Sequence, residues 1–125
     1  MGKDKKYDLE DRLIDFTCLI FDITETFKSS KAGNHISGQL VRSGSSPALN
    51  YGEAQSSESK NDFIHKFKVI LKELRETLIS LKIAKKGLLF KNEELLEKGI
   101  VECNELISIF VKSIDTASKN KNNKS

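Results

Sequence analysis

The sequence predicts an all-α protein that folds as an antiparallel up-and-down four-helix bundle. Two segments carry apolar residues at successive spacings of about 4, 3, 4, 3 and 4, which places those side chains on one side of an α-helix. A third segment has the same periodicity, and no segment alternates apolar and polar residues like a β-strand followed by a hairpin turn. With 125 residues, one proline and 38% apolar residues, the chain suits long helices around a single core.

The first predicted helix covers residues 7–27 and carries two apolar stripes. The main stripe consists of Leu9, Leu13, Phe16, Ile20, Ile23 and Phe27. A second set lies roughly 120° around the helix and consists of Tyr7, Ile14, Cys18 and Phe21. Because one stripe is enough to face the core of the bundle, we expect the second set to form an oligomer interface. Scattered surface apolar residues are the alternative interpretation.

The second predicted helix covers residues 33–57 and is crowded with glycine and serine, which are weak helix formers. Ser46 followed by Pro47 is typical of an N-cap and the first position of a helix. We therefore expect a kink or break near residues 44–47. The small side chains would also allow a neighbouring helix to approach closely.

The third predicted helix is the clearest, and a fourth follows it. Ser59 or Asn61 can cap a helix over residues 60–86, and Gly87 is the expected stop. Asn92 can cap a fourth helix over residues 92–118. Its apolar stripe consists of Leu96, Ile100, Cys103, Ile107, Phe110 and Ile114. Residues 1–118 would then form one domain, and residues 119–125, rich in lysine and asparagine, a disordered tail.

Nothing in the sequence favours catalysis. His35 and His65 are the only histidines, and Asp62 lies one helical turn before His65, where it could orient the imidazole. A catalytic site would also require a nucleophile and a third group, which the sequence does not indicate. There is no cysteine or histidine spacing typical of a metal site and no phosphate-binding loop. We predict a protein that is not an enzyme and that has no metal and no cofactor.

The sequence also predicts a cytoplasmic protein. Residues 1–6 are mostly charged and lack the apolar region of a secretory signal, and no stretch is apolar enough to span a membrane. Cys18 and Cys103 are 85 positions apart within apolar helical patterns. We expect both to be reduced core or interface residues.

Five cations lie within about 80° of one another on the third predicted helix. They are Lys68, Lys72, Arg75, Lys82 and Lys86. Such a line could follow a phosphate backbone, and without aromatic residues beside it the binding would be largely indifferent to base sequence. The alternative is an ordinary solvated face, since Glu73 and Glu76 lie nearby and cations suit a helix C-terminus.

The middle of the chain resembles a known family. The similarity rests on the segments Arg42-Ser43-Gly44-Ser45-Ser46-Pro47-Ala48, Asn50-Tyr51-Gly52-Glu53-Ala54, Asp62-Phe63-Ile64-His65-Lys66, Lys72-Glu73-Leu74-Arg75-Glu76-Thr77 and Glu105-Leu106-Ile107. Over residues 7–117 the chain is similar to the bacterial 23S rRNA-intervening-sequence proteins.

The resemblance implies a four-helix bundle that assembles as a homopentamer, with no known catalytic residues. Members of that family are encoded within segments inserted in the large-subunit rRNA gene, or elsewhere. A related branch, the accessory variability determinant of diversity-generating retroelements, binds nucleic acid and a reverse transcriptase. We therefore expect a homo-oligomer that associates with RNA. An assembly or adaptor protein that binds another protein is the alternative.

Overall fold

The computed structural model describes residues 8–124, and it describes side chains as far as residue 120. Four helices follow one another: α1 (Leu9–Glu25), α2 (Lys31–Ala54), α3 (Lys60–Lys86) and α4 (Glu93–Lys124). Each helix packs against its neighbours in the chain, and α4 also packs against α1. The predicted all-α four-helix bundle is confirmed.

Ion pairs between helices show that neighbours run in opposite directions. Glu53 of α2 pairs with Lys66 of α3, whereas Arg42, eleven residues earlier in α2, pairs with Glu76, ten residues later in α3. Residue numbers therefore rise along α3 as they fall along α2. Contacts between α3 and α4 and between α1 and α4 show that these helices are antiparallel too, as an up-and-down bundle requires.

Each helix begins at a polar residue whose side chain accepts a backbone N–H of the first turn. The caps are Asp8 to Glu10 N (3.3 Å), Ser30 to Gly33 N (2.9 Å), Ser59 to Asp62 N (3.1 Å) and Asn92 to Leu95 N (3.0 Å). These bonds satisfy donors that have no partner within the helix. The expected caps Ser59 and Asn92 are confirmed.

The prediction for the second helix was wrong in one respect. α2 is continuous from Lys31 to Ala54, so Ser46 and Pro47 do not begin a new helix. Pro47 is buried inside α2, where it cannot donate a hydrogen bond to the carbonyl of Ser43.

Contacts with both neighbouring helices hold α2 together just before this proline. The Ser43 hydroxyl is 2.9 Å from Thr77 Oγ1 of α3, and Thr17 Oγ1 of α1 donates to the Gly44 carbonyl over 3.1 Å. A Cβ at Gly44 would lie 2.9 Å from Ile20 Cγ2. The expected close approach of a neighbouring helix is therefore present at this glycine.

The other helix ends differ less from prediction. α1 is shorter than residues 7–27, and α3 matches residues 60–86. α3 stops at Gly87 as expected. The residue after it, Leu88, has a positive φ (58°). α4 continues to Lys124, so the predicted end at 118 was too early. No glycine or proline follows Gly99 to stop it, and Lys119 pairs with Asp115 at i,i+4 (3.2 Å).

The core lies along the bundle axis and follows the predicted stripes. Leu13, Phe16, Ile20 and Ile23 of the first stripe are at most 1% exposed. In α4, the fully buried side chains are those of Leu96, Cys103, Leu106 and Phe110. Leu106 was not in the predicted stripe, whereas Ile100, Ile107 and Ile114 are only partly buried. Among the helices described, none has an apolar stretch long enough to cross a bilayer.

Candidate nucleic-acid interface

The five cations of the predicted nucleic-acid site lie on the outward side of α3. Lys68, Lys72, Arg75, Lys82 and Lys86 are all exposed, whereas Ile70, Leu74, Thr77, Leu81 and Ala84 of the same helix are buried. At 1.5 Å per residue, the line from the first cation to the last is about 27 Å long. We call these five residues the cationic face.

The cationic face keeps its charge because the nearby carboxylates are turned towards α2. Glu73 is 9% exposed, and its Oε1 accepts from Arg42 Nη1 over 3.2 Å. Arg42 also pairs with Glu76. The two glutamates that could have neutralised the cationic face are thus bound to an arginine of another helix.

Two other lysines of α3, at the sides of the helix, form ion pairs with neighbouring helices. Lys66 pairs with Glu53 of α2, and Lys85 pairs with Glu97 of α4, which raises the pKa of Lys85. By contrast, no residue of the cationic face forms an ion pair with any residue that the structure describes. After Lys60 in the first turn, the lysines and the arginine of α3 therefore divide into flanking residues that join helices and outward residues free to meet a ligand.

An isoleucine lies within the cationic face. Ile79 falls at the helical spacing between Arg75 and Lys82 and is 55% exposed, and neighbouring Ile83 is 46% exposed. The aromatic residues of α3 point elsewhere, since Phe63 and Phe67 stack on each other with ring centroids 4.3 Å apart and the second packs on Phe110. A phosphate backbone lying on this face would therefore meet cations and an aliphatic side chain, but no aromatic ring on which a base could stack.

The predicted oligomer interface lies on a different helix. Ile14 is 45% exposed, Phe21 is 40% exposed and Cys18 is exposed, whereas Tyr7 lies outside the described residues. Val41, on α2, is 41% exposed. The bundle therefore leaves Ile14, Cys18 and Phe21 uncovered within one chain, and the role of the second stripe as an interface stays a prediction.

The two histidines and the buried cysteine are the other candidates for a reactive site. His35 and His65 are both exposed. Cys103 is buried with its Sγ 3.2 Å from the Leu74 carbonyl, and burial raises the pKa of its thiol to about 12. Within residues 8–120, no three histidine, cysteine or acidic side chains are grouped to hold a metal ion.

The role of Arg42 is not visible in the sequence. Its guanidinium binds two carboxylates of α3. Arg12 does the same for α4, with Glu102 and Glu105 both 2.8 Å away, and these bonds raise the pKa of Arg12. The sequence shows charged residues but not which of them meet across the bundle.

Comparison with known proteins agrees with this architecture. A crystal structure of a protein of unknown function from the S23 ribosomal protein family of Bacteroides thetaiotaomicron VPI-5482 superposes with a TM-score of 0.74 at 25% identity, covering 86% of this chain and 98% of the other. No curated protein matches the chain. The sequence profile of the 23S rRNA-intervening sequence proteins matches residues 5–112. Since the match covers most of the chain, the protein belongs to the 23S rRNA-intervening sequence protein family.

Proposed function

We propose that the protein is a non-enzymatic, oligomeric helical bundle of the cytoplasm that associates with RNA through the cationic face of α3. The observation that carries this proposal is the separation of charge on α3. Glu73 and Glu76 are bound by Arg42, and the five outward cations are left exposed and unpaired among the residues described.

The physical basis of the binding is electrostatic. Cations that contact phosphates release condensed counterions, so affinity falls steeply with salt and depends little on base sequence. The formal charge of one chain is only +3, but an oligomer repeats the cationic face on every subunit. A homopentamer, favoured by the family resemblance, would present five such faces.

The experiment measures RNA binding by fluorescence anisotropy at several salt concentrations, with a labelled 20-base-pair RNA duplex and a single strand of mixed sequence. The test variant is Lys72→Glu/Arg75→Glu, since both residues lie on the cationic face. The matched control, Lys31→Glu/Lys112→Glu, changes the formal charge equally at exposed lysines of α2 and α4. Circular dichroism and light scattering verify that helicity and oligomeric state are unchanged.

We expect the test variant to bind both RNAs at least about tenfold more weakly than wild type. A plot of log affinity against log salt concentration should also be less steep, by about one to two log units of affinity per decade of salt. The control should lose about threefold or less, because net charge alone acts weakly through the solvent. Equal losses in the two variants would show that α3 is not the binding site. Arg42 and the lysines near the chain ends would then be the next residues to test.

A protein-binding adaptor is the second candidate function, and the exposed second stripe of α1 favours it. Ile14 and Phe21 offer apolar surface that RNA does not need. This function predicts no RNA binding by the wild-type protein at physiological salt and no effect of the α3 substitutions. Recovery of RNA and protein bound to a tagged copy in cells separates the two candidates.

A further inference from the structure

A second surface of the bundle, on the α1–α4 side, has the opposite character to the cationic face. A groove of about 880 Å³ runs between the two helices. Its α1 wall includes Asp15, Leu19 and Asp22, and its α4 wall includes Glu94, Leu95 and Val101. We call it the acidic groove. The core residue Phe16, which is 1% exposed, also lines it.

Carboxylates dominate the rim of the acidic groove. Five of its lining residues are acidic and one, Lys98, is basic. Glu97 and Glu102 are each bound to a cation of the same chain. Asp22 and Glu94 are exposed and form no ion pair with the residues described, so they are available to a cation from outside.

Apolar side chains lie between these carboxylates. Val101 is 56% exposed, and Leu19 and Leu95 are only partly buried although they pack on the core. Partly exposed aliphatic side chains, together with the free carboxylates of Asp22 on α1 and Glu94 on α4, complement a helix with an apolar stripe flanked by cations.

We propose that the acidic groove binds a lysine- and arginine-rich amphipathic segment of another protein. The apolar stripe of that segment covers Val101, Leu19 and Leu95, and its cations pair with Asp22 and Glu94. RNA would be repelled by the carboxylates, and the absence of a three-ligand cluster in the described part of the chain argues against a metal ion. The proposed partner surface is therefore distinct from the proposed RNA surface on α3.

The probe is a fluorescein-labelled 18-residue peptide with leucines at i, i+3, i+4 and i+7 spacing and lysines on the opposite side. A second peptide has the same composition in an order that disperses the leucines. The groove variants are Asp22→Asn/Glu94→Gln, which removes charge, and Val101→Ser, which removes the apolar contact. The matched control is Glu58→Gln/Asp62→Asn, at exposed acidic residues outside the groove.

We expect the amphipathic peptide to bind the wild-type protein and Glu58→Gln/Asp62→Asn with similar affinity. It should bind Asp22→Asn/Glu94→Gln at least about tenfold more weakly. Val101→Ser should weaken binding severalfold, and the dispersed peptide should bind at least about tenfold more weakly than the amphipathic one. Equal binding of the two peptides, an unaffected charge variant, or no binding at all would each overturn the proposal.

A second copy of the chain is the competing occupant, since its own cationic face contains Ile79. Light scattering compares the mass of Asp22→Asn/Glu94→Gln with that of the wild-type protein. If the wild-type protein is an oligomer and this variant is a monomer, the groove binds another copy of the chain and the proposal fails. The RNA proposal is tested separately, because Lys72→Glu/Arg75→Glu should bind the peptide like wild type. Any loss of peptide binding in that variant would place the peptide site elsewhere.

Discussion

Ile23 of α1 lies directly against Gly99 of α4. A Cβ added at position 99 would be 2.5 Å from Ile23 Cδ1, and 3.8 Å from Leu81 Cδ1 of α3. Gly99 is buried in the second turn of α4, a position inside the helix at which glycine costs about 1 kcal/mol relative to alanine. The missing side chain therefore lets α1 approach α4 closely at this point.

We predict that Gly99→Ala lowers the free energy of unfolding by up to about 2 kcal/mol, because an overpacking cost of about 1–3 kcal/mol outweighs a gain of about 1 kcal/mol in helix propensity. Ile23→Val, which removes the clashing Cδ1, should restore part of the loss in the double variant. The measurement is urea unfolding followed by circular dichroism. Gly38→Ala is the control, since a Cβ there meets no atom within 4 Å, and it should stabilise the protein by about 0.5–1 kcal/mol. Stabilisation by both alanines would contradict the close contact.

Arg42→Ala should destabilise the bundle and weaken RNA binding. The side chain of Glu73 is 11% exposed and would lose its cation, whereas Arg42 itself is 52% exposed. Because solvent screens the arginine, we expect a loss of about 1–2 kcal/mol, less than for a fully buried pair. RNA affinity should fall because two carboxylates beside the cationic face lose their counterion.

The controls for this prediction use the same two helices. Adding Glu73→Gln to Arg42→Ala should recover stability, because it removes the uncompensated charge. Lys68→Ala, at an exposed residue outside the ion pairs described, should change stability by no more than about 0.5 kcal/mol. If Arg42→Ala lowers the free energy of unfolding no more than Lys68→Ala does, the contact between Arg42 and Glu73 contributes little to stability.

The fold was predictable where the signals for a helix end are local. Ser59 and Gly87 flank α3, and its predicted bounds match the structure. In α2, the local signal of Ser46 and Pro47 was misleading, because hydrogen bonds from α1 and α3 reach the turn before the proline. Such contacts join residues 27 and 34 positions apart, and helix periodicity does not reveal them.

The candidate site was predictable in the same limited sense. Periodicity alone places Lys72 and Arg75 on one side of α3, opposite the core. It does not show that Glu73 and Glu76 turn away from them to bind Arg42, since that arrangement depends on how α2 and α3 pack. The acidic groove was missed for the same reason, because its two walls are about 80 residues apart in the chain.

The oligomer prediction concerns the second stripe of α1. Ile14→Asp/Phe21→Asp should release monomers, because each new carboxylate would be buried without a partner in the interface. Light scattering at tens of micromolar protein measures the mass. Leu88→Asp/Val111→Asp is the matched control at exposed apolar residues outside α1, and it should keep the wild-type mass. A monomeric wild-type protein would refute the oligomer, and a control that dissociates equally would move the interface away from α1.

Stability at alkaline pH should depend on Cys103. Its thiol is fully buried against the Leu74 carbonyl, and desolvation, with a smaller effect of Glu102, raises the pKa from 9.0 to about 12. In the unfolded chain the thiol would ionise near its ordinary pKa. The folded state therefore retains a proton that the unfolded state loses, and the free energy of unfolding falls as pH rises from about 9 towards 12.

The slope attributable to this thiol approaches about 1.4 kcal/mol per pH unit above pH 9. We predict that the difference in unfolding free energy between wild type and Cys103→Ala, measured in urea from pH 8 to 10.5, narrows as pH rises. Lysines and tyrosines titrate in both proteins and largely cancel in this difference. Cys18→Ala, which retains Cys103, should keep the wild-type dependence. A difference that stays constant across this range would show that the Cys103 thiol ionises equally in the folded and unfolded states.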